Sequence, residues 1–193
     1  MVFVVLAMGS YGPSFTGDIT AATIDGGSGP VPLTLVFLET AVAARKLWVY
    51  YYPTAAPGTT YGVAVTFTGN PVVPGALISV NFASNIGTAP HTHTVIGAGE
   101  RSVTATLPHA ALLLGVARDQ IGTTFTPLSG QSVLVNGFGV PGASGHSLLY
   151  VDQLTVLTPL GPTTTTVTST FPYPGGVITG SGEMLYGVVP IYQ

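Results

Sequence analysis

Short runs rich in Val, Thr, Tyr, Phe and Leu recur along the chain between clusters of Gly, Pro, Asn and Asp, the pattern of many short strands joined by tight turns. The runs predict strands at about residues 2–8, 19–25, 31–39, 44–52, 60–67, 76–83, 101–107, 110–118, 132–136, 147–157, 163–171 and 183–191. Alternation is clearest at 61–67 (YGVAVTF), where Tyr61, Val63, Val65 and Phe67 share one face and small or polar residues the other, as in a half-buried strand. Residues 2–6 and 110–117 are instead apolar on both faces. That suits either a central strand covered on both sides or a face buried in an oligomer.

Turn chemistry separates these runs: DGGSGP at 25–30, APG at 56–58, GNP at 69–71, VPG at 73–75 and PGG at 174–176 all favour tight reversals. Residues 39–47 (ETAVAARKL) have the most helical composition but lead straight into WVYYY at 48–52, so no significant helix is predicted. The Thr-rich run at 163–170 reads as a strand rather than a mucin-like stalk, because Thr is β-branched and apolar segments flank it. With no fixed repeat and no change of composition that marks a linker, residues 1–193 are expected to form one domain, an all-β antiparallel β-sandwich.

Composition narrows the classes of function. Four Lys or Arg and seven Asp or Glu among 193 residues fall far below the roughly one quarter charged that is usual for soluble domains, so much of the surface is expected to be covered by neighbours. Arg45, Lys46, Arg101 and Arg118 are the only basic residues besides histidine, too few for the basic stripe that nucleic acid requires. The absence of cysteine rules out disulfides and thiolate metal sites. No apolar run approaches the roughly 20 residues of a membrane-spanning helix. Residues 1–8 (MVFVVLAM) resemble the apolar part of a signal peptide but lack a basic region before them and run quickly into Gly9, Ser10 and Tyr11, so they are expected to remain in the folded chain.

Candidate chemistry is sparse. His91 and His93, two apart, would share a face if they lay on a strand and would offer two imidazoles to one cation, with a third ligand from His109, His146 or an acid. The preferred alternative is a pair of partly exposed loop histidines after Pro90, with no metal. Asp18, Asp25, Glu39, Glu100, Asp119, Asp152 and Glu183 are scattered singly. They make a catalytic pair only if the fold converges two of them, and Asp18, Asp25 and Asp119 sit in turn-like contexts where Asp bonds local backbone. The Gly-rich stretch 137–147 (GFGVPGASGHS) lacks the Lys of a phosphate loop and reads as a plain loop, and Ser144 and Ser147 beside His146 do not make a triad by proximity. Neither a catalytic residue nor a cofactor is expected.

Aromatic residues are the better candidates for recognition. In a strand, Trp48, Tyr50 and Tyr52 line one face and Tyr51 the other, giving either core packing or a rigid platform for a sugar ring or a protein partner. Tyr173, Tyr186 and Tyr192 are expected to be interfacial.

The order of segments resembles a jelly-roll-type β-sandwich module of phage structural proteins and bacterial secreted proteins. An apolar strand at 1–8 is followed by LWVYY at 47–51, AAPGTTY at 55–61 and VAVTFTG at 63–69, with later strands at 76–81, 163–171 and 184–191. Modules of this kind usually sit in long chains, whereas a single copy without a signal peptide fits a virion component assembled in the host cytoplasm. The resemblance implies a non-enzymatic capsid decoration (cement) protein on a tailed-phage head, partnered by the major capsid protein or other virion subunits and forming a homo-oligomer, a trimer by analogy. The rival expectations are a carbohydrate-binding or adhesive module that uses Trp48 and nearby tyrosines, and a filament subunit that exchanges residues 1–8 or 184–193 with a neighbour.

Overall fold

The computed structural model describes residues 2–8, 17–42, 45–56, 58–69, 75–79, 85–86, 91–96, 101–107, 111–119, 130–139, 148–156, 165–171 and 183–192. These carry β1 (Val2–Met8), β2 (Ile19–Asp25), β3 (Val31–Pro32), β4 (Thr34–Val42) and β5 (Arg45–Tyr52). There follow β6 (Gly62–Phe67), β7 (Gly75–Ser79), β8 (Asn85–Ile86), β9 (His91–Ile96) and β10 (Arg101–Leu107). The last five are β11 (Ala111–Asp119), β12 (Gln131–Gly139), β13 (Leu148–Val156), β14 (Thr165–Phe171) and β15 (Glu183–Tyr192). Every pairing is antiparallel, and no helix occurs among the described residues.

A four-stranded middle sheet has the order β4-β5-β1-β7. Against one of its faces lies the sheet β12-β13-β11-β15-β8, with β9 also paired to β15. The core between them holds Phe3, Val5, Phe37, Leu47 and Val49 from the middle sheet and Leu112, Leu114, Val116, Leu149, Val151, Val189 and Ile191 from the larger one. The other face of the middle sheet packs on the outer sheet β3-β2-β6. This second core joins Val2, Val4, Leu6, Trp48 and Tyr50 to Ala22, Ile24 and Leu33. The expected sandwich therefore carries a third layer, and β1 serves two cores at once.

That double duty explains the two-sided apolar run at 2–6. Phe3 and Val5 alternate with Val2, Val4 and Leu6 because successive side chains of a strand point to opposite faces, and each face meets its own sheet. Leu112, Leu113, Leu114 and Val116 of β11 are also buried within the single chain, so neither 2–6 nor 112–116 requires an oligomer to cover it.

Two irregularities adjust the packing. The predicted strand 31–39 divides at Leu33, where the chain leaves the outer sheet for the middle one. The Leu33 N–H donates to the carbonyl of Ala22 at 2.9 Å, and its side chain fills the second core. Between Leu35 and Phe37 the pairing of β4 with β5 slips, and Val36 and Phe37 both pack on the first core. A bulge lets two consecutive residues serve one face in this way. Phe37 also lies over Gly187 of β15, where an added Cβ would stand 2.8 Å from its Cε2.

Two strands depart from expectation. β8 is only two residues long, and β9 covers His91–Ile96, so the loop reading of His91 and His93 is corrected. β9 gains its extended form by pairing with Glu183–Val188 of β15, a tertiary cause that its polar HTHT start does not advertise. Likewise residues 137–139 extend β12 rather than opening a loop, through pairing of Phe138 and Gly139 with Leu149 and Leu148.

Candidate functional site

The aromatic stripe of β5 is held by β1 on one side and β4 on the other. Strand alternation sends Trp48, Tyr50 and Tyr52 to the outer-sheet side and Tyr51 to the opposite side, where Tyr51 packs on the first core. Tyr51 meets Phe3 with ring centroids 6.4 Å apart and planes inclined at 31°. The predicted division of faces is what the structure shows. Trp48 and Tyr50 are buried in the second core, so neither presents a ring face to solvent. Tyr52 is half-buried and meets Tyr61 at a centroid distance of 6.0 Å and an angle of 59°.

The stripe ends at Lys46, which is on the same side of β5 as Trp48. Its Nζ pairs with Asp18 Oδ2 at 2.9 Å, donates to the Gly17 carbonyl at 3.1 Å, and lies 5.9 Å from the centre of the Trp48 ring. The ammonium thus satisfies two oxygens of the outer-sheet segment while its charge stands over an aromatic face, an arrangement that cation–π attraction favours. Asp18 is anchored in turn. Its N–H donates to Thr68 Oγ1 at 2.8 Å, its carbonyl accepts from the Thr68 N–H at 2.8 Å, and its Oδ1 accepts from the Ile19 N–H at 3.0 Å. Burial raises the Tyr50 hydroxyl above its ordinary pKa of 10.0, and the negative charge of Asp18 adds to the rise.

At the other end of β2, Asp25 closes the Gly-rich turn by accepting at Oδ1 from the Gly27 N–H at 2.7 Å and the Gly29 N–H at 3.0 Å. Gly27 and Gly29 adopt φ of 96° and 103°, values that L-residues with a Cβ resist. The expected local backbone bonding is therefore present at both Asp18 and Asp25. Tyr61 completes this rim: its hydroxyl accepts from the Ala56 N–H at 2.7 Å.

The remaining candidates are placed by register alone. His91 stands opposite Val188 and His93 opposite Tyr186. Tyr186 also faces Ala117, and Tyr192 lies between Ala111 and Asn85. Asp119 ends β11, Asp152 lies within β13 and Glu183 begins β15. His109, His146, Tyr173 and Glu100 lie outside the described residues, as do Ser144 and Ser147. Among the described residues, no three His, Cys, Asp or Glu side chains gather in a way that holds a metal ion.

A second feature has no counterpart in the sequence reading. The exposed large apolar residues among those described are Val31 at 44%, Leu35 at 47%, Leu38 at 38% and Leu134 at 40% exposure. All four lie on β3, β4 or β12, each the outermost strand of its sheet. Strand alternation alone could not find them, because it does not tell which strand is an edge.

No family model matches the chain, and no curated protein or solved structure matches it either.

Proposed function

We propose that this chain is a non-enzymatic structural protein of a virus particle, a decoration protein that binds the head of a tailed phage as a homo-oligomer with the major capsid protein as partner. The observation that carries this reading is that, among the described residues, the exposed large apolar side chains all lie on edge strands β3, β4 and β12, in a chain with so few charges. Sheet edges are templates for pairing with another chain, and proteins that stay alone blunt them with charge. Edges that carry leucine and valine instead favour attachment to a neighbour through main-chain pairing and apolar contact. Binding of this kind stabilises a shell by mass action, since the bound form is favoured over the free one.

The sugar-stacking alternative is weakened by the burial of Trp48 and Tyr50; of the tyrosines around β5, it keeps the half-buried pair Tyr52 and Tyr61. Strand exchange gains no support from β1, which sits between β5 and β7 in its own sheet, or from β15, which sits between β11 and β8 in its own.

Quantitative mass spectrometry of purified particles tests the proposal by counting copies of this chain relative to the major shell protein. Decoration requires a near-stoichiometric ratio. A few copies per particle would move the chain to a tail or fibre, and its absence from particles would overturn the virion reading.

A further inference from the structure

We draw no further inference here: the strongest candidate, the exposed apolar side chains of Val31 on edge strand β3 and of Leu35 and Leu38 on edge strand β4, carries nothing beyond the reading above because nothing in the structure shows what covers them.

Discussion

The inward face of the middle sheet buries aliphatic side chains and two phenylalanines, with Tyr51 at its margin, whereas the outward face packs through Trp48, Tyr50, Tyr52 and Tyr61 and is rimmed by hydrogen-bonded polar atoms. The same strands, β1 and β5, build both. The buried side chains of the inward core are all aliphatic or phenylalanine, so its stability is chiefly a matter of area and fit. The outward core covers a smaller sheet of three strands and finishes in side chains with an apolar body and a polar tip. Such residues let a thin layer end at water without leaving an unpaired donor. The two cores should therefore fail differently: the inward one to changes of volume, the outward one to loss of a ring or of a rim contact.

The largest effect is expected at Trp48, the bulkiest of the fully buried side chains. Trp48→Ala removes the centre of the outward core and should destabilise the chain by about 3–5 kcal/mol, read as a fall in the urea midpoint. It also removes the face on which Lys46 rests, so the outer sheet should lose amide protection more than β11 and β13 do. Equal loss of protection throughout would mean that the two cores unfold as one unit.

Next comes the inward core, where Gly187 admits the ring of Phe37. Gly187→Ala puts a methyl into that ring and should cost about 1–3 kcal/mol, the usual range for overpacking. If the clash is the cause, Phe37→Leu in the same chain recovers part of the loss in a double-mutant cycle. Additive losses would show that Gly187 is needed for another reason.

How legible these two cores were in the sequence differs strand by strand. Residues 2–8, 19–25 and 101–107 are strands over the predicted bounds, because apolar runs flanked by turn residues reflect local geometry. The opposite facing of Trp48 and Tyr51 followed from alternation alone. The third layer was not legible: two-sided apolar character at 2–6 says that both faces are covered, but not by what. β9 was missed because His91-Thr92-His93-Thr94 owes its extended form to β15. The Lys46–Asp18 contact could not be read either, since it joins β5 to the segment before β2 through the stacking of two sheets. Lys46 two residues before Trp48 was the available hint, as this spacing puts a cation beside a ring on one strand face.

A smaller effect is expected where the outward core meets water. Tyr61→Phe keeps the ring against Tyr52 but removes the acceptor of the Ala56 N–H. Water can replace that partner at an exposed position, so the loss should be about 0.5 kcal/mol, with faster hydrogen exchange at Ala56. A loss of several kcal/mol would mean that the 53–61 segment is held chiefly by this bond.

The smallest change in stability at neutral pH is expected from Asp18→Asn. Asp18 is 52% exposed and its partner Lys46 is 14% exposed, so the pair contributes no more than about 1 kcal/mol, and high salt should narrow the difference between the variant and the parent. The sharper readout is alkaline. Tyr50 has its pKa raised on folding, by burial first and by Asp18 second, so the unfolded chain ionises before the folded one. The stability that depends on neutral Tyr50 is intact below the ordinary pKa of 10.0 and is lost as pH climbs toward the higher folded value. Between about pH 8 and about pH 11, the parent should lose the most stability in urea, Asp18→Asn less, and Tyr50→Phe least. Identical alkaline losses in the parent and Asp18→Asn would refute the coupling of Asp18 to Tyr50, whereas a loss that persists in Tyr50→Phe would assign the alkaline limb to other groups. Tyr50 and Asp18 both lie on the outer-sheet side of β5, so the ordering of the three proteins reports on the outward face.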